Sequence, residues 1–146
     1  MNAVQAKLTP AVPHIGFDGN NVPHIEGSRC SACHEVFVGN RSVCAKCCAR
    51  GQMQTVRLQT TGHVHTYSIV HRSFPGIKTP FISATIALDG GGNLQGTLRD
   101  VAVNTPEPLF RMAVELHFEE TGQRASDGSA YLAYYFSPLS QFERNR

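Results

Sequence analysis

Two Cys-x-x-Cys pairs, Cys30-Ser-Ala-Cys33 and Cys44-Ala-Lys-Cys47, constrain this chain more than any other feature. Each pair forms a knuckle that offers two thiolates to one metal ion, and two knuckles close a tetrahedron. A closed shell of sulfur leaves no position for substrate or water. A structural zinc held by Cys30, Cys33, Cys44 and Cys47 is therefore expected, and catalysis at that centre is not. Iron in a rubredoxin-like site would fit the same sulfur geometry, but nothing else in the chain points to electron transfer.

The 146 residues suffice for one ordinary domain plus a small module ordered largely by its metal. No apolar run approaches the roughly 18–20 residues that span a membrane. Met1 to Thr9 has neither the apolar core of a signal peptide nor the arginine bias of a transit peptide, so a cytoplasmic location is expected. Metal-binding rather than disulfide-bonded cysteines agree with that compartment. The formal charge of +2 counts cysteines as neutral. One zinc ion brings two positive charges against four thiolate negatives, which leaves the metallated chain near zero. Proteins that bind nucleic acid through phosphates usually carry a clear basic excess, so that class is disfavoured.

Residues 1–27 are rich in Pro, Gly and Asn and read as an extended N-terminal arm. Residues 28–51 form the ribbon, with a short strand expected at Val36-Phe37-Val38. Residues 52–140 show the period-two alternation of strands, and 141–146 form a tail. From His63 to His71, alternation places Val64, Thr66, Ser68 and Val70 on one face and His63, His65, Tyr67, Ile69 and His71 on the other. Ile82, Ala84, Ile86 and Leu88 share a face of the next strand. The Asp89–Asn93 turn leads into a third strand, where Gly96 suits close packing. Met112, Val114, Leu116 and Phe118 mark a fourth strand. A polar loop over Thr121–Ser129 precedes the last, Tyr131–Phe136. Prolines make a helix near Val101–Leu109 doubtful. About five alternating strands with glycine-rich turns fit a closed OB-fold barrel, so the expected fold is mainly β, a rubredoxin-like zinc ribbon followed by that barrel.

The remaining candidates are weaker. Cys48 could replace Cys47 as a ligand or serve as a nucleophile beside His34, but an adventitious free thiol is the simpler reading. His63, His65 and His71 lack a carboxylate partner in their strand and read as solvent-facing or interface residues. There is no acid–base dyad, nucleophile motif or phosphate-cradling glycine loop, so no catalytic residue is assigned. Arg72 and Lys78 flank the Pro/Gly loop after the first barrel strand. They read either as a solvated face or as contacts for an anionic ligand or partner.

The order of parts, together with Gly62, Thr66-Tyr67-Ser68-Ile69-Val70-His71-Arg72, Pro80-Phe81, Ala84, Leu88-Asp89-Gly90 and Gly96, resembles the acyl-CoA-associated zinc-ribbon/OB-fold family over residues 27–137. The arm departs from that family, which usually begins with a helix. The resemblance implies a non-catalytic small subunit, in a hetero-oligomer, that partners a thiolase-superfamily large subunit or a hydratase. It implies a structural zinc ion, and coenzyme A or acyl-CoA shared as a ligand with the partner, with Arg72 and Lys78 near the CoA phosphates. Its narrowest implication is thiolytic cleavage of benzoylsuccinyl-CoA in anaerobic toluene breakdown. The alternative from another class is a single-stranded nucleic-acid-binding OB module, against which stand the near-zero charge and the absence of tryptophan.

Overall fold

Alternating apolar residues build the barrel. In strand β7 (Phe81–Leu88), Ile82, Ala84, Ile86 and Leu88 are all buried, as their spacing predicts. The computed structural model describes residues 8–106 and 108–139, which form ten β-strands and no helix. None of these residues belongs to a helix long and apolar enough to cross a membrane. The 141–146 tail expected from the sequence lies outside the described residues.

Five strands close the barrel. Strands β6 (Thr61–Val70), β7 and β8 (Asn93–Leu98) make an antiparallel meander. β8 pairs in parallel with β10 (Ala130–Pro138), β10 runs antiparallel to β9 (Ala113–Arg124), and β9 returns to β6. This ring order, with one parallel pair between the third and fifth barrel strands, is the OB-like closure. The core holds Val64, Leu94, Leu98, Val114, Leu132 and Phe136 besides the β7 row. Burying each such side chain contributes about 1.5–3 kcal/mol. Gly96 packs as expected, since a Cβ there would lie 2.8 Å from the fully buried Phe136 ring.

The registers define two barrel mouths. Val70, Phe81, Leu98 and Ala113 lie at one; Thr61, Leu88, Asn93 and Arg124 lie at the other. The ribbon abuts the second. Its strands are β3 (Pro23–Cys30), flanked by β4 (Val36–Val38) and β5 (Met53–Arg57), with β2 (Ile15–Phe17) paired to the start of β3. Ile25 of β3 and Leu58 beyond β5 join the barrel's own hydrophobic cluster.

Three details differ from the sequence reading. The segment 8–27 is strand-forming: β1 (Leu8–Pro10) pairs in parallel with β10, and β3 runs across the 27/28 division. β9 continues to Arg124, so the expected 121–129 loop shortens to a turn at 125–129. Pairing with β10 draws polar residues into a strand that alternation alone would end earlier. Between β8 and β9 the described residues of 101–109 form no helix, in keeping with the doubt their prolines raised.

The third difference concerns the histidine face. Val64 pairs with Ile86 but Thr66 pairs with Thr85, so His65 is the extra residue of a β-bulge. The bulge shifts the phase by one. Gly62, Val64, Tyr67 and Ile69 oppose the buried row of β7, whereas His63, Thr66 and Ser68 oppose its outward row. His63 and Tyr67 therefore do not share a face.

Candidate metal centre

Each Cys-x-x-Cys pair sits in a tight turn whose backbone is organised by the first cysteine. Residues 30–34 turn at the end of β3, where the His34 N–H donates to the Cys30 carbonyl at 2.8 Å. Residues 44–48 repeat the arrangement, with the Cys48 N–H donating to the Cys44 carbonyl at 2.9 Å. The Lys46 and Cys47 N–H groups both point at the Cys44 Sγ, at 3.4 Å. The Cys47 N–H is the main reason the Cys44 thiol is held down to about 6. The Cys33 N–H likewise lowers Cys30. The first sulfur of each knuckle is thus favoured as thiolate, the ligating form.

The four sulfurs of Cys30, Cys33, Cys44 and Cys47 lie within 4.8 Å of one another. Cys30 Sγ is 3.6 Å from Cys47 Sγ, and Cys33 Sγ is 3.5 Å from Cys44 Sγ. A regular tetrahedron with metal–sulfur bonds of 2.3 Å has edges of about 3.8 Å, so the donor set fits one zinc ion. Cys30 and Cys44 are buried, which limits water at the cluster.

Cys48 is exposed and stands outside the cluster. Its φ of +62° matches the +66° of His34, the corresponding residue of the other knuckle. Both take a left-handed conformation that glycine would adopt freely. The sequence analysis missed this role; the shared position just after each second cysteine was the available signal.

The other expected residues lie away from the sulfurs. Arg72 and Lys78 are exposed on the β6–β7 loop, at the mouth opposite the ribbon. His65 and His71 are exposed, and His63 Nδ1 lies 3.7 Å from Asp89 Oδ1. That contact supplies the carboxylate partner the strand itself lacks. Asp89 also accepts from the Thr61 hydroxyl at 2.6 Å.

Two clefts mark the junction of ribbon and barrel. The smaller, about 160 Å³, lies between Arg29, Arg57 and the Asp89-Gly90-Gly91 turn. The larger, about 450 Å³, lies between Phe37, Arg41 and Asn93. The Arg41 guanidinium stands 4.9 Å above the Phe37 ring centre. Gly91 keeps the two parts close, because a Cβ there would come within 2.8 Å of Val36.

On the barrel's outer face, His117 stacks on Tyr135 at 5.2 Å, and Arg99 lies 4.1 Å above the same ring. Such a platform could stack a base. However, Glu119 pairs with Arg99 and Glu115 lies 3.3 Å from His117, so carboxylates surround it. That surround repels phosphates and argues against the nucleic-acid alternative.

Comparison with known proteins agrees with this architecture. Residues 55–119 match the family described as "ChsH2, C-terminal OB-fold domain". A DUF35 domain-containing scaffold protein of Methanocaldococcus jannaschii is 30% identical over 116 residues, covering 77% of this chain and 80% of that protein. A scaffold protein of the same description from Methanothermobacter thermautotrophicus is 24% identical over 117 residues, covering 79% and 86%. Among solved structures, a chain of the "Ltp2-ChsH2(DUF35) aldolase" superposes with a TM-score of 0.59 at 25% identity, over 79% of this chain and 84% of that one. The paired knuckles, the OB-like barrel behind them and these relatives together identify the chain as a member of the DUF35 family.

Proposed function

We propose that this protein is a non-catalytic, zinc-containing subunit that partners a thiolase-superfamily enzyme and helps to position its acyl-CoA substrate. The likeness to a chain of the Ltp2-ChsH2(DUF35) aldolase carries this reading, because it spans 79% of this chain and 84% of that one. Relatives described as scaffold proteins support it. A closed four-sulfur site adds a reason to assign the chemistry to the partner, since a zinc ion there would cross-link the ribbon and have no position open to substrate.

On this reading Arg72 and Lys78 face the CoA phosphates at the subunit boundary. Enclosing a thioester between two chains excludes water from it. The narrowest version is thiolytic cleavage of benzoylsuccinyl-CoA, which rests on the sequence resemblance alone. Co-expression with a thiolase-superfamily enzyme from the same organism tests the reading. A complex that co-elutes and raises thiolase activity is expected; separate elution with unchanged activity would end it. In the complex, R72A/K78A should raise the KM for CoA substrates about tenfold, the worth of one charge-assisted contact. An unchanged KM returns both residues to the solvated surface.

A further inference from the structure

Among the described residues six large apolar side chains are exposed, and four of them gather at one barrel mouth. Ile69 is 38% exposed, Ile77 51%, Phe110 57% and Phe74 80%. Single exposed apolar residues are ordinary on protein surfaces, whereas a cluster marks a contact site. Two segments supply it. One is the β6–β7 loop with its flanks, residues 69–81; the other is 108–112, which leads into β9.

At this mouth the inward-facing row of β6 runs out to solvent. Ile69 pairs with the buried Ile82 and continues the inward row of Gly62, Val64 and Tyr67, yet it reaches solvent. The β8–β9 connection crosses this end of the barrel without a helix among its described residues. Among the described residues of this connection only Leu109 is buried, and Phe110 stands over Tyr67 with ring centres 5.0 Å apart.

The patch is held in shape. The Leu109 N–H donates to the Tyr67 hydroxyl at 3.4 Å, and the Arg111 N–H to the Val64 carbonyl at 2.8 Å. Arg111 takes a φ of +68°, a strained conformation that turns the chain at this point. In the loop, the Ile77 N–H closes a turn on the Phe74 carbonyl at 3.2 Å. A surface ordered before binding loses less entropy on association.

Its charge has one sign. Arg72, Lys78 and Arg111 lie within the two segments, and no carboxylate does; the nearest acids in sequence are Glu107, directly before the second segment, and Glu115, three residues after it. An apolar centre with aromatic anchors and an arginine-bearing rim is the usual composition of a protein interface. Its complement is apolar at the centre and anionic at the rim.

We infer that this mouth, centred on Phe74, Ile77 and Phe110, is where the chain docks on its enzyme partner, against an apolar surface with carboxylates facing Arg111, while Arg72 and Lys78 at the same boundary face the CoA phosphates. The inference rests on the partner-subunit reading and assigns it a surface. The ribbon, at the opposite mouth, then stays outside this contact.

Affinity of the full, zinc-loaded chain for that thiolase-superfamily enzyme, measured without CoA, tests the assignment. F74S/I77S and, separately, F110S should each weaken binding about 30-fold or more, the loss typical of an interface anchor. R111E should weaken it further as salt is lowered. Val22 is equally exposed but remote, so V22S should bind as the wild type does. Unchanged metal content and melting temperature verify that the variants fold. If wild type binds and both patch variants bind equally well, the docking surface is refuted and the partner-subunit reading survives. If wild type does not bind the enzyme, both fall. If F74S/I77S instead breaks a dimer of this chain and leaves enzyme binding intact, the mouth joins two copies and the inference is overturned.

Discussion

His34 and Cys48 occupy equivalent places in the two knuckles. Each follows the second cysteine of its pair, each has positive φ (66° and 62°), and each returns its N–H to the carbonyl of the first cysteine. The pair explains why a fifth cysteine sits beside the ligands without joining them. A side chain in this conformation costs about 1–2 kcal/mol that glycine avoids, although glycine gives back part through its freer unfolded chain. Cys48→Gly should therefore keep one metal ion per chain and raise stability by about 0.5–1 kcal/mol. Metal analysis and denaturant unfolding check it, and loss of the metal would make Cys48 a ligand.

Removing a ligand should act differently. Cys33→Ser leaves three thiolates and an open position, so zinc should be lost to a mild chelator that wild type resists. Metal-linked folding is worth on the order of 10–16 kcal/mol in small zinc modules, and losing one of four bonds should remove several of these. A serine variant that holds zinc with wild-type stability would contradict the assignment of the four cysteines.

Close backbone packing gives a third expectation. A Cβ at Gly62 would lie 2.4 Å from the Ala87 carbonyl oxygen, which belongs to the neighbouring strand and cannot move alone. At Gly96 it would press on the Phe136 ring. Gly62→Ala and Gly96→Ala should each cost about 1–3 kcal/mol, with Gly62 the more costly, in thermal or denaturant unfolding. A neutral result at Gly62 would mean that β6 and β7 lie farther apart than described.

The acid limb of stability should carry a contribution from His14. Burial lowers its pKa, and its Nε2 lies 3.1 Å from the Tyr134 hydroxyl, whose own pKa burial pushes up to about 12. The unfolded chain then takes up a proton near pH 6.5 before the folded one does. His14 is favourable above that pH, and the benefit is lost as pH falls through 6.5 toward the lower folded value. His14→Gln should flatten this part of the stability profile. A slope unchanged from wild type would assign the acid limb to other groups.

Sequence alone was sufficient where one local rule governs. The β7 row follows from alternation, the Val36–Val38 strand from three consecutive strand-favouring apolar residues, and the cysteine spacing foretold that the four sulfurs converge. Elsewhere non-local pairing decided. Alternation cannot reveal the bulge at His65, because that extra residue is defined only by its partner strand. Leu8–Pro10 joins β10 from more than a hundred residues away, despite a proline-rich surrounding sequence. The barrel mouth was hidden for a similar reason: Phe74 and Phe110 resemble core residues until the closed ring leaves them outside.

Strand β3 has a consequence for the whole assembly. It carries Ile25 into the barrel core and ends at Cys30, one of the four clustered cysteines, five residues further along one continuous strand. Metal occupancy is therefore mechanically coupled to the barrel. A chain short of zinc would loosen at its ribbon and, through the same strand, weaken the packing of Ile25 against the barrel core.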